Sequence, residues 1–326
     1  MLAGVFVGKE GGIRIHAVNN ALIVSLSRGV FLARKPLLLL EREVSISTWG
    51  RCRIYRITMD DWDAALSRPG VGLCLVANAS GAHDAAVFAA ARHGVPVLVE
   101  KPLAITTARV DAMIEACDAA NVPLGCIFQT RWGDDFARLR AAVDSGELGR
   151  LTYAAVQVPW WRDDKYYTES CWHGTKEMDG GGALINQAIH MVDWLVALTP
   201  PVVEVKAFAA ALAHPIETED TVSAAIRFEG GALGGVYATT ASYPGRPRRI
   251  ELTGTKGTIV VEDAACGSSN AGSIPVEQHR RAIAAFVESL HGGAPYPIDG
   301  REARKSVDLV ERIYRDAYGI SERNGK

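Results

Sequence analysis

The sequence predicts two domains in tandem: an α/β domain on a parallel sheet, then an α+β domain on a large, mostly antiparallel sheet. Three observations predict this. From residue 71 to about 130, short apolar runs of strand length alternate with helical stretches. After about residue 150, strand candidates follow one another through short glycine-containing connections, as in antiparallel hairpins. The length of 326 residues is about twice that of a common domain, which leaves room for two cores.

In the first domain, 71–78 (VGLCLVAN) is a strand and 81–94 an alanine-rich helix closed by a glycine. Residues 95–100 form a second strand, 105–121 a second helix and 122–129 a third strand. In the second domain, strands are expected over 152–158, 202–212, 221–228, 232–240, 249–253 and 257–262. Glu229-Gly230-Gly231 and Gly254-Thr255-Lys256-Gly257 supply the turns. A helix over 182–198 interrupts the strands, and helices over 276–290 and 301–318 follow. The open face of this sheet, with the small residues Ala224, Ala225, Gly234, Gly235, Ala238 and Thr239, offers an oligomer surface. Residues 1–50 break the rhythm, because their glycines at 4, 8, 11 and 12 do not fit G-x-G-x-x-G.

Composition excludes several classes of function. With 35 Lys plus Arg against 37 Asp plus Glu, a net charge of -2 gives no electrostatic reason to bind nucleic acid or acidic lipid. The 48% hydrophobic and 22% charged shares are those of a soluble globular protein. Apolar runs fall short of the roughly 20 residues a membrane helix needs. No basic region, apolar core and cleavage site occur in signal-peptide order, so a cytoplasmic location is expected. Six cysteines, at 52, 74, 117, 126, 171 and 266, form no C-x-x-C pair and read as reduced, buried thiols.

Three stretches carry chemistry. Glu100-Lys101-Pro102 ends an apolar strand, where ligands of open α/β sheets bind. Lys101 there can hydrogen-bond a hydroxyl or carbonyl oxygen; the plainer reading is a solvated lysine before a turn. In residues 179–193 (DGGGALINQAIHMVD), helical spacing puts Asn186 and His190 on one face, with Asp193 or Trp194 beyond. His190 suits general acid–base work, and a buried histidine satisfied by a carbonyl is the alternative. Residues 159–167 (PWWRDDKYY) set aromatics and charges at a strand end, which suits a polyhydroxylated ring or an interface. Cys171, His173, Glu177 and Asp179 lack a recognisable metal-ligand spacing, so no metal is expected.

Taken in order, Asn78-Ala79-Ser80-Gly81-Ala82-His83, Glu100-Lys101-Pro102, the Gly-rich helix ending in His190, and the 252–257 hairpin resemble the Gfo/Idh/MocA oxidoreductases. The resemblance runs from about residue 53 to 318. It implies a Rossmann-type, doubly wound dinucleotide-binding domain over 1–130 and a substrate-binding and oligomerisation domain over 131–326. NAD or NADP is the implied cofactor, with Asn78, Ser80, His83, Glu100, Lys101, Gln129, Trp161 and Arg162 lining its crevice. Lys101, Asn186 and His190 match the catalytic positions, and Tyr167 and Gln187 join them around the substrate. The implied reaction moves a hydride between nicotinamide and a ring carbon of a sugar, nucleotide sugar or cyclitol, in a homodimer or homotetramer.

The departures lie at Asn78-Ala79, where the family has threonine-proline, and in residues 1–50, which lack the phosphate-binding loop. A shifted reading frame upstream of residue 51 would account for the second. So would a cofactor-deficient member acting as a ligand-binding or regulatory protein, or a cofactor bound through an unfamiliar loop. A lyase using Lys101 as a Schiff base is a further rival.

Overall fold

The computed structural model describes residues 62–67, 70–262 and 276–320 in full, and before residue 62 the backbone of six strands. Those strands are β1 (Val5–Gly8), β2 (Ile13–Val18), β3 (Ala21–Leu26), β4 (Val30–Phe31), β5 (Arg42–Ile46) and β6 (Gly50–Tyr55). The chain divides into two compact units. One comprises residues 1–104, 108–129 and 275–304; the other comprises 105–107, 130–274 and 305–326.

In the first unit, α1 (Trp62–Leu66) precedes β7 (Val71–Val76), α2 (His83–Arg92), β8 (Val97–Glu100), α3 (Thr107–Ala119) and β9 (Leu124–Ile127). The apolar runs of β7, β8 and β9 pair in parallel in that order, as a sheet covered by helices requires. Leu73, Cys74, Val97, Val99, Cys126 and Ile127 are almost wholly buried. The described parallel part is thus three strands wide, and β1 joins β7 antiparallel. Parallel pairing needs a long crossover, usually a helix, and the described elements between β1 and β6 are all strands.

Residues 275–304 belong to this first unit, whereas the sequence reading assigns everything after 130 to one domain. They include all of α7 (Val276–Leu290) and the first residues of α8 (Gly300–Ala317). Cys126 N–H donates to Ile298 O at 2.9 Å and Tyr296 Oη to Cys126 O at 3.0 Å, so this return closes over β9.

The second unit is built on a six-stranded sheet in the order β11-β12-β13-β10-β14-β15. Its strands are β10 (Leu151–Pro159), β11 (Val202–Ala210), β12 (Thr221–Phe228), β13 (Leu233–Thr239), β14 (Arg249–Gly254) and β15 (Thr258–Glu262). All neighbours are antiparallel except β10 and β13, which run parallel. Alternation along β12 buries Val222, Ala224, Ile226 and Phe228 and turns Ser223, Ala225 and Arg227 outward. The expected open face is corrected accordingly. Ala224 and Ala238 are buried, and a Cβ on Gly234 would meet the buried Phe228 ring. Ala225 and Gly235 stay on the outer face with Phe208, which is 83% exposed.

Two helices of this unit have no counterpart in the sequence reading: α4 (Asp134–Asp144) and the short α5 (Asp164–Thr168). The helix expected over 182–198 is a π-helical turn, Ala183–Ala188, continued by α6 (Ile189–Leu198). Among the described residues no helix is long and apolar enough to cross a membrane, and no cluster of His, Cys, Asp and Glu would hold a metal. Cys74, Cys117 and Cys126 are buried as expected, but Cys171 is exposed.

Candidate active site

In the first unit, the carboxyl ends of β7, β8 and β9 bring Asn78, Ser80, Glu100, Lys101 and Gln129 to one edge of the sheet. The turn after β7 is tied by Asn78 Nδ2 donating to Ala82 O at 2.9 Å. His83 opens α2 and is 1% exposed. Its Nδ1 lies 3.0 Å from Pro102 O and 3.2 Å from Leu103 O, and its Nε2 lies 3.3 Å from Asn78 O. The His83 ring therefore sits between the β7 and β8 ends, and the one N–H of its neutral form donates to a backbone carbonyl of one of them. Burial lowers its pKa most, with the carbonyls and Glu100 pulling the other way.

Glu100 Oε2 accepts the Lys101 N–H at 3.2 Å, and Oε1 lies 3.2 Å from His279 Nε2 on α7. Burial would raise the Glu100 carboxyl, but the hydrogen bond from His279 and the neighbouring Lys101 outweigh it, so its pKa lies below the usual value. His279 was not visible as a site residue, since it occupies an apolar position of an amphipathic helix 179 residues from Glu100 in sequence.

This edge gathers polar side chains at the carboxyl ends of the parallel strands. Asn78 Oδ1 is buried there without a hydrogen-bond partner among the described residues. The strand ends of a parallel sheet are where ligands of open α/β folds lie. Residues 1–50, where the family's phosphate-binding loop would fall, lie outside the fully described residues.

In the second unit, the glycine run before Ala183 has a steric cause. A Cβ on Gly181 would overlap the Tyr314 hydroxyl, and one on Gly182 the carbonyl oxygen of Glu219. The Glu219 side chain caps the π-helical turn in their place. Its oxygens accept Gly182 N–H at 3.0 Å, Leu184 N–H at 2.9 Å and Tyr314 Oη at 2.8 Å. Burial raises the Glu219 carboxyl despite these donors. Its neighbour Asp220 goes the other way: burial again pushes up, but the N–H groups of Leu212, Ala213 and His214 and the Thr221 hydroxyl hold it down.

His190 is 6% exposed in the first turn of α6. One turn on, Asp193 takes a bidentate pair from Arg131, at 2.8 Å from Nε and 2.7 Å from Nη2, and a bond from Ser306 at 3.2 Å. Asp193 is therefore an internal anchor of α6. Preceding His190, Asn186 Nδ2 donates to Asp179 Oδ1 at 2.6 Å, and its Oδ1 accepts from Gln187 Nε2 at 3.2 Å. Gln187 Nε2 also donates to Tyr166 Oη at 2.7 Å, and Gln187 Oε1 accepts Arg162 Nη2 at 2.6 Å. Asn186, Gln187, Arg162, Tyr166 and Asp179 thus form one network. A π-helical turn is a common device for widening a helix at such a place.

Arg162 is buried with its guanidinium 5.1 Å above the Trp160 ring and 5.3 Å from that of Tyr166. Trp161 bridges to Ala241 and packs edge-on against Tyr243. Tyr167 lines a cavity of about 240 Å³ together with Cys171, His173, Gly174, Ile216 and Glu217. Its hydroxyl is committed to Thr240 Oγ1 at 2.8 Å, and burial pushes its pKa up to about 12. Glu219 and His279 are the residues that sequence reasoning missed as parts of the sites, and Tyr166 and Asp179 lay in the stretches singled out but were given no role. Their only local signals were a neighbouring tyrosine and acids beside apolar runs.

The match to known proteins covers both units. A family model described as an oxidoreductase family with an NAD-binding Rossmann fold matches residues 48–128, and the GFO/IDH/MocA C-terminal domain model matches residues 136–260. The chain is 33% identical to the WlbA dehydrogenase from Bordetella pertussis, solved with NADH and UDP-GlcNAcA, with a TM-score of 0.74 over 82% of each chain. It is 29% identical to myo-inositol 2-dehydrogenase of Thermotoga maritima over 74% of this chain and 76% of that protein. It is also 29% identical to levoglucosan dehydrogenase of Pseudarthrobacter phenanthrenivorans over 61% of this chain, spanning 57% of that protein.

Proposed function

The chain belongs to the Gfo/Idh/MocA oxidoreductase family, and on that premise we propose that it is a dehydrogenase or reductase acting on a sugar, nucleotide sugar or cyclitol. The cofactor is NAD or NADP, which supplies the hydride acceptor or donor. In the oxidising direction His190 takes the proton of the reacting hydroxyl, and Lys101 holds the same oxygen and stabilises the charge that develops on it. Asn186 cannot ionise; held at both ends of its amide, it orients the substrate or His190.

The observation that carries this reading is the polar network around Asn186 beside His190, in a chain whose other unit ends its parallel strands with Glu100-Lys101. Ser80, His83, Glu100 and Gln129 belong to the cofactor side, with Trp161 and Arg162 toward the nicotinamide. Gln187 and the ring face of Tyr167 belong to the substrate side. The Arg162 guanidinium forms no ion pair among the described residues, which favours a ligand carrying an anionic group there. Similarity to WlbA, whose structure holds UDP-GlcNAcA, favours a nucleotide sugar for the same reason. The protein is further proposed to be cytoplasmic and to assemble as a homodimer or homotetramer through the outer face of the six-stranded sheet.

A second reading rests on one observation, the absence of G-x-G-x-x-G in residues 1–50. It makes the protein a cofactor-free binding or regulatory member of the family. Heat denaturation separates the two. NAD or NADP at a hundred times its dissociation constant should stabilise the dehydrogenase by about 2.7 kcal/mol. No shift with either nucleotide supports the second reading.

A further inference from the structure

We propose that His279 is the positioning residue of the β8 end: it holds the Glu100 carboxylate, and that carboxylate holds the backbone N–H of Lys101. The inference starts from the helix that carries it. His279, Ala282, Ile283 and Phe286 are the buried residues of α7, at i, i+3, i+4 and i+7 spacing. Three are apolar, and His279 is the one polar residue of that face.

The histidine there is 6% exposed, and its Nδ1 is buried with no hydrogen-bond partner among the described residues. A buried ring nitrogen without a partner costs free energy, so the opposite nitrogen must return something for it. That nitrogen, Nε2, lies 3.2 Å from Glu100 Oε1. An unpartnered Nδ1 is cheaper as a lone pair than as an N–H, so the Nε2–H tautomer donates to the carboxylate.

Glu100 has its second oxygen 3.2 Å from the Lys101 N–H. One carboxylate therefore links His279 on α7 to the backbone N–H of Lys101. The ionisable groups facing Glu100 are His279 from α7, Lys101 beside it and His83 from α2. All of this lies within the first unit. The consequence for turnover rests on the proposed function, in which Lys101 meets the reacting oxygen; the link itself does not.

Amide hydrogen exchange at Lys101, followed by NMR on the full-length apo protein, tests the link without substrate or cofactor. Replacing His279→Leu should speed exchange at Lys101 about tenfold, the loss expected of one charge-assisted hydrogen bond, and leave Cys126 in β9 unchanged. His279→Gln keeps an N–H donor and should restore protection. Glu100→Ala should release Lys101 as fully as His279→Leu, and the double variant no further. Unchanged exchange in His279→Leu, failure of the glutamine variant to rescue, or additive effects of the two changes would overturn the proposal. If His279→Leu does not fold, His279→Gln against Glu100→Ala decides: equal release in both contradicts the link. Because the readout needs no turnover, it can succeed or fail independently of the dehydrogenase reading.

Discussion

Lys101 and His190 are supported by opposite means. The Lys101 strand end is braced by two histidines, His83 set between backbone carbonyls and His279 through Glu100. The His190 helix is braced by carboxylates, Glu219 at the start of the π-helical turn and Asp193 one turn beyond. In both places the residue that would do chemistry is local to a motif, while part of its support arrives from a distant element, His279 on α7 for Lys101 and Glu219 and Arg131 for the His190 helix. A site can therefore be recognised by its motif and still owe its geometry to residues outside it.

The largest effect on this contrast is expected from Arg131→Met. It removes the bidentate partner of the wholly buried Asp193 carboxylate, and should destabilise the protein by about 3–5 kcal/mol in urea unfolding. Next, His190→Ala should lower turnover roughly 100-fold or more, with heat protection by nucleotide retained. Unchanged turnover would remove His190 from the mechanism.

Two neighbouring carboxylates sharpen the comparison through pH. Glu219 is raised in the folded state, so its contribution to stability is present below the ordinary carboxylate range and lost as pH rises through its raised value. Asp220 is lowered, so its contribution is present above the ordinary range and lost as pH falls through its depressed value. Thermal melts across pH should show Glu219→Gln gaining on the wild type as pH rises, and Asp220→Asn losing the acid-side slope. Slopes of the same sign in both would break the assignment. The smallest effect is expected from Tyr167→Phe, about 1 kcal/mol from the lost hydroxyl contact with Thr240, read from the melting temperature.

Much of the fold was legible because its signals are local. The parallel strands are continuous apolar runs, and β12 alternates cleanly enough that its bounds, Thr221–Phe228, match the expectation. Lys101, Asn186 and His190 stood out because they interrupt such patterns with polar groups. The π-helical turn did not, since its cause is Glu219 accepting Gly182 and Leu184 from 37 and 35 residues away. His279 looked like one more position on an amphipathic helix until Glu100 was found against it. The outer face of the second sheet was half misread because small residues carry no polarity to show which way they point. Residues 1–50 carry neither helical periodicity nor the glycine loop, and offered no local signal that a dinucleotide domain begins there.

The most direct test of the central claim uses nicotinamide labelled with deuterium at C4. Reduced NAD or NADP so labelled would be offered with keto-sugars, keto nucleotide sugars and keto-cyclitols to the wild type and to His190→Ala, and the products read by mass spectrometry. A dehydrogenase of this family should place the deuterium on a ring carbon of one class of product, with the yield collapsing in His190→Ala. Label confined to the nucleotide across all three classes, together with no heat protection by either nucleotide, would contradict it.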